Sequence, residues 1–238
     1  MATAELPALE TSSGSTLSSR LNWLRAGVLG ANDGIVSTAG IVMGVAGATA
    51  SDTALLVAGL AGLVAGALSM ATGEYVSVST QRDTERATTL RIRRRLSRDP
   101  HREKASLAKV FASEGLSENL SHQVAEELSA KDPVAAHARF EMNYDPEELT
   151  NPWHAAWASM LSFTLGALIP LIAMVASPQT WRVPATVLAV VAALALTGSV
   201  SAGLGGAPRG RAVGRVVVGG LLAMLGTYAI GALVGLFV

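Results

Sequence analysis

Apolar positions in this chain are gathered into long blocks. A helix needs about 20 mostly apolar residues to cross the hydrocarbon core of a bilayer. Five segments reach that length, at about 24–49, 53–80, 153–175, 183–204 and 216–238. The first is interrupted by one acid, Asp33, and the second carries no charge until Glu74. The third lies within a charge-free run from 149 to 181, and the last two hold no charged side chain, as expected of scaffold. The blocks predict an all-α membrane protein with five transmembrane helices. Residues 1–19 read as a disordered N-terminal tail, 20–80 as transmembrane helices one and two, 81–150 as a helical insert, and 151–238 as transmembrane helices three to five.

Inside the insert the pattern becomes amphipathic. Helix two continues through 81–98 and is broken at Asp99-Pro100, because proline disfavours helix in the residue before it. A helix over 103–114 follows, with Leu107, Val110 and Phe111 on its apolar face and Gly115 as its stop. Ser117 caps the next, whose face is Leu120, Val124 and Leu128. Asp132-Pro133 starts a fourth with an N-cap side chain and a first-turn proline. Asn151-Pro152 opens the third membrane helix. Gly-xxx-Gly pairs recur at Gly40/Gly44, Gly62/Gly66 and Gly231/Gly235. Such pairs let helices approach closely in lipid, or simply reflect the abundance of glycine.

Composition sharpens the picture. Half the residues are hydrophobic, only 15% are charged and 24 are glycine, the balance of helices packed in lipid. The net charge of zero hides a segregation that sets orientation. Arg20 and Arg25 precede helix one, the insert holds twelve Lys or Arg, and Arg209, Arg211 and Arg215 lie between helices four and five. The other two connections carry only Asp52 and Arg182 as charged residues. Basic residues stay on the cytoplasmic side, so the N-terminus and insert are expected inside and the C-terminus outside. The first apolar stretch is too long for a cleavable signal core and is expected to stay as an anchor. The chain has no cysteine, which removes disulfides and thiolate chemistry. The insert balances its twelve basic residues against thirteen acids, which argues against nucleic acid as a partner. No phosphate loop, nucleophile triad or zinc-protease helix is present, which argues against an enzyme or an ATP-driven pump.

The residues that could carry chemistry are few. Asp33 lies about nine residues, roughly 13 Å, along helix one. An acid at such depth costs roughly 2.5–3.5 kcal/mol and needs a partner, a proton or a cation. The bland alternative is a protonated Asp33 bonded to Asn32 or Ser37. Glu74 is the second intramembrane acid, with Met70 one turn before it on the same face. A thioether beside carboxylates shifts preference from Mg²⁺ or Ca²⁺ toward later transition metals. Met70 alone would be packing. In the insert, His137 and Glu141 are one turn apart and face the same way, either as a metal-binding pair or as an ordinary helix surface. The basic run from Arg91 to Arg98 is a solvated face or a surface for anionic lipid head groups. His122 and His154 are isolated.

These residues also carry a resemblance. Asn32-Asp33-Gly34-Ile35-Val36-Ser37-Thr38, Ser69-Met70-Ala71-Thr72-Gly73-Glu74-Tyr75-Val76-Ser77-Val78 and Gln81-Arg82-Asp83-Thr84-Glu85 resemble the vacuolar iron transporter family. Asn151-Pro152 with Ser162-Phe163-Thr164-Leu165-Gly166-Ala167-Leu168-Ile169-Pro170 extends the likeness, which runs in order over about 21–238. The resemblance implies a homodimer that exports Fe²⁺ or Mn²⁺ from the cytoplasm in exchange for protons. It has no tightly bound cofactor, because the metal is the transported substrate. Asp33 and Met70 would line the ion path, joined by Glu74. The short, cysteine-free chain resembles the bacterial members more, so a bacterial plasma membrane is expected before a vacuolar one. The family's cytoplasmic domain gathers metal with glutamates, and here two of those positions fall at Ile92 and Arg95. Glu103 matches a family glutamate, Ser106 replaces another, and His137 stands in a methionine's place before Glu141. The insert is therefore expected to be a depleted metal store resting on Glu103, His137 and Glu141. A rival reading keeps the fold but makes the chain a non-transporting metal sensor or structural membrane protein.

Overall fold

The computed structural model describes residues 14–146 and 150–237, with side chains from Gly27 onward. Residues 1–13 of the expected tail and the side chains of Arg20 and Arg25 lie outside the described residues. Among the described residues eight helices form in chain order: α1 (Gly14–Ala48), α2 (Asp52–Arg98), α3 (Pro100–Ser113), α4 (Glu118–Lys131), α5 (Pro133–Phe140), α6 (Pro152–Ala176), α7 (Arg182–Gly205) and α8 (Arg209–Val234). Residues 14–19, read from sequence as tail, are the first turns of α1. Five of the eight helices are long and apolar enough to span a bilayer, the span within α1 being Gly27–Ala48. The chain is an all-α, multi-pass membrane protein.

At 47 residues, α2 is roughly 70 Å long, about twice the hydrocarbon thickness. Only its first half is apolar, so one helix supplies residues to both compact units of the chain. The first unit comprises residues 1–75 and 153–238, the second Val76–Pro152.

In the first unit α1 is the central helix. It packs on α7 and α8, and its Val42 and Ile41 face Gly59 and Gly62 of α2. The shared core joins Ile35, Ala39 and Val42 of α1 to Phe163 and Ala167 of α6 and Leu194 of α7. Two crossings are so close that only glycine fits. A Cβ on Gly34 would fall onto the Phe163 carbonyl, and one on Gly166 onto the Ala31 carbonyl. Further along, a Cβ on Gly231 of α8 would strike the Gly44 carbonyl of α1. The Gly40/Gly44 and Gly231/Gly235 pairs thus lie at one crossing, while Gly66 accommodates the Phe163 ring. Without a hydrophobic drive between helices in lipid, such backbone contact is what holds them together. Outer faces carry large apolar side chains such as Leu60, Val64, Leu165, Leu188 and Leu225.

One end of this unit is tied by charge. The Arg182 guanidinium, 9% exposed, donates to Asp52 Oδ1 at 2.6 Å and to the Ala50 carbonyl at 3.4 Å. The α1–α2 turn and the start of α7 therefore lie at the same end of the bundle.

The second unit is built from short capped helices. Asp99 caps α3 by accepting from Arg102 N–H, Ser117 caps α4, and Asp132 caps α5 by accepting from Ala135 N–H. Gly115, at φ +99°, supplies the left-handed residue that stops α3. Leu107, Ala108 and Phe111 pack on Ala125 and Ala136. The α4 face differs from the sequence expectation. Leu120 is 46% exposed, and the buried stripe runs through Ser121, Val124, Ala125 and Leu128. The small side chains of Ser121 and Ala125 let α3 approach, and α4 turns that edge inward. After α5, Asn143 adopts φ +60° and Tyr144 N–H donates to the Ala138 carbonyl. The Tyr144 hydroxyl then donates to the Glu85 carbonyl and lies 2.8 Å from Thr89 Oγ1, seating this segment on α2.

Candidate functional site: an intramembrane acid and a carboxylate cluster

Asp33 lies on the central helix, one residue before the α1–α6 crossing. Its side chain is exposed on the surface of the single chain. The Ser37 hydroxyl donates to the Asp33 backbone carbonyl at 2.6 Å, so it is not engaged by the carboxylate. Among the described residues the carboxylate has no hydrogen-bond or ion-pair partner. The neighbouring Asn32 Oδ1 is buried and also lacks one.

Phe163 of α6 fixes the depth of the other two candidates. Its backbone abuts Gly34 and its ring abuts Gly66. Asp33 precedes Gly34 by one residue, and Met70 follows Gly66 by one turn. Because α1 and α2 run in opposite directions, both steps lead toward the same end. Asp33 and Met70 therefore sit within roughly one turn, about 5 Å, of the same depth. Met70 is half-buried and packs against the core cluster. Glu74, one turn further along, is half-buried beside the Tyr75–Trp153 ring pair, whose centroids are 4.8 Å apart. Aromatic side chains of this kind mark the membrane–water boundary. No hydrogen bond or ion pair joins Asp33 to Glu74.

In the second unit the structure brings Glu103 and Glu141 to one side chain, Arg95 of α2, with His137 against Glu141. Arg95 Nε is 3.3 Å from Glu103 Oε2 and Arg95 Nη2 is 3.0 Å from Glu141 Oε2. His137 is fully buried, with Nδ1 2.8 Å from Glu141 Oε1 and Nε2 without a partner. That Nδ1–Oε1 approach is short but not aligned as a hydrogen bond. Among the described residues no group of three or more His, Asp or Glu closes around a common point as metal ligands would. Ile92, one turn before Arg95, is 1% exposed and serves the core.

Two partnerships were missed in the sequence. In the sequence Arg95 is only one member of a basic run standing where the family has a glutamate, whereas its guanidinium lies against two of the acids expected to hold metal. Arg182 and Asp52 are each the only charge in their connection and opposite in sign, a signal that could have paired them.

The chain matches the family model described as VIT family over residues 24–232. It is 39% identical over 210 residues to a protein named vacuolar iron transporter from Acanthamoeba castellanii, covering 88% of this chain and 77% of that protein. Vacuolar iron transporter homolog 2 of Arabidopsis thaliana is 36% identical over 221 residues, covering 92% and 88%. VIT-like transporter 1b of Glycine max is 37% identical over 218 residues, covering 91% and 78%. This chain of five spanning helices and a helical insert belongs to the VIT family.

Proposed function

We propose that this protein exports Fe²⁺, and Mn²⁺ as a second substrate, from the cytoplasm by exchange for protons, working as a homodimer with its insert and N-terminus inside. The observation that carries the reading is Asp33: a carboxylate on the central helix with no partner among the described residues, within about one turn of the depth of Met70. Facing lipid, that charge costs roughly 2.5–3.5 kcal/mol. A second copy of the chain placed against this face removes the carboxylate from lipid and gives the path two acids and two thioethers. Carboxylate and thioether together favour a divalent transition metal over Mg²⁺ or Ca²⁺. The names of the relatives support iron as the metal.

Each protein group then has one task. Asp33 Oδ binds the cation or a proton, and the two compete for the same lone pairs. Met70 Sδ adds a soft donor that selects the metal. Glu74, near the aromatic pair, draws cations toward the path. Proton binding at the acids from the far side releases the metal there, and deprotonation on the cytoplasmic side restores the site. Purified protein in liposomes tests this with radioactive Fe²⁺. Asp33→Asn is expected to abolish transport while the protein still inserts. Met70→Leu, which keeps volume and removes sulfur, is expected to slow it. Wild-type rates in both variants would remove Asp33 and Met70 from the path.

A further inference from the structure

The carboxylate cluster of the second unit has an arginine at its centre. Arg95 Nη2 donates to Glu141 Oε2 at 3.0 Å, and Nε on the same edge lies 3.3 Å from Glu103 Oε2, an ion-pair distance without hydrogen-bond alignment. Guanidinium is charged at every accessible pH and its edge matches carboxylate geometry. Both acids are largely buried, with side chains 11% and 9% exposed, so they need a countercharge. Arg95 is more open at 36%, although its Nε is buried. It joins three elements, α2, α3 and the end of α5, whereas a metal ion held by Glu103 and Glu141 alone would tie only the last two. His137, fully buried, turns Nδ1 toward Glu141 Oε1 at 2.8 Å, and among the described residues neither ring nitrogen has a hydrogen-bond partner.

We propose that Arg95 is the resident cation of this cluster, holding the place of a divalent metal between Glu103 and Glu141, so that the wild-type cluster excludes metal and loss of the arginine opens it. The donors left behind, two carboxylates with an imidazole against one of them, suit Mn²⁺ or Fe²⁺ once a third ligand is supplied. An added metal cannot share the site with the guanidinium. Both would need the same oxygens, and like charges at that separation repel strongly in a half-buried setting. The insert is accordingly a fixed helical module whose ion pair replaces a metal clasp. This is independent of the transport reading, because it concerns binding at residues outside the membrane path.

The test uses the full chain in detergent, with Mn²⁺ as the probe and unbound Mn²⁺ read by electron paramagnetic resonance. Wild type and Glu141→Gln are expected to bind the same amount. Arg95→Glu is expected to gain one Mn²⁺ per chain, and adding Glu141→Gln is expected to remove it. The proposal is overturned if Glu141→Gln lowers Mn²⁺ binding in the wild-type background, or if folded Arg95→Glu gains none. Should Arg95→Glu fail to fold, Arg95→Gln removes the charge with less repulsion among the acids. A Glu141-dependent gain there supports the proposal, and a folded Arg95→Gln without one overturns it. The wild-type comparison tests the exclusion of metal whichever variant folds.

Discussion

A single methyl group at the α1–α6 crossing tests whether backbone contact holds the membrane unit. In Gly34→Ala the new Cβ meets the Phe163 carbonyl, with Phe163 C at 2.9 Å and Ala167 N at 3.0 Å. All three are backbone atoms, so no side-chain rotation relieves the overlap. To restore carbon contacts near 3.5 Å, the helices must part by on the order of 1 Å. A gap of that size forfeits a quarter to a half of each neighbouring contact, and overpacking costs about 1–3 kcal/mol. Against this, alanine gains up to about 1 kcal/mol of helix propensity over glycine. The net expectation is a loss of about 1–2 kcal/mol. Gly166→Ala, whose Cβ meets the Ala31 backbone, is expected to match it. Gly219→Ala and Gly226→Ala, with nothing within 4 Å, supply the control and are expected to be neutral or slightly stabilising. Reversible unfolding in mixed micelles, followed by circular dichroism, measures all four. Equal stability of the crossing and control variants would refute the reasoning.

Two further expectations follow from charge. Asp52→Ala strands the buried Arg182 guanidinium and removes an acid from the first turn of α2. It is expected to cost about 1 kcal/mol, the low end for an unpaired buried charged donor, because Asp52 is 80% exposed and water can replace it. Arg182→Met, which removes the charge and keeps the stem, is expected to cost less, and the opposite order in thermal melting would contradict this. For topology, a cysteine at Ser113 is expected to react with an impermeant maleimide only in opened cells. One at Ser51 is expected to react in intact cells, and reversed labelling overturns the orientation.

How much was readable in the sequence depended on the reach of the signal. Spans were legible because roughly 20 consecutive apolar residues leave few alternatives. Ser117 and Asp132 were legible as caps because a cap acts within three residues, whereas Asp99, legible only as the end of α2, also caps α3. The inward edge of α4 was not, since Leu120 and Ser121 both fit a stripe through Val124 and Leu128. What lies across the interface settles that choice. Glycine pairs announced close approach but not partners: Gly44 meets Gly231 across nearly two hundred residues of chain. The Arg95 cluster was half legible. Glu103, His137 and Glu141 stood out by residue type, but the arginine joining the two acids was hidden in a basic run whose other members are mostly exposed. Asp33 stood out because a charge inside an apolar block is costly whatever surrounds it.

Proton-coupled metal movement by the purified protein is the most direct test of the central claim. Liposomes holding wild-type protein, with a pH gradient imposed and the membrane potential clamped, are given radioactive Fe²⁺ outside. Uptake into an acidic interior is expected to exceed uptake without a gradient, to collapse with a protonophore, and to be absent in Asp33→Asn. Metal entry that ignores the gradient would contradict proton exchange, and no entry in correctly inserted wild-type protein would contradict transport itself.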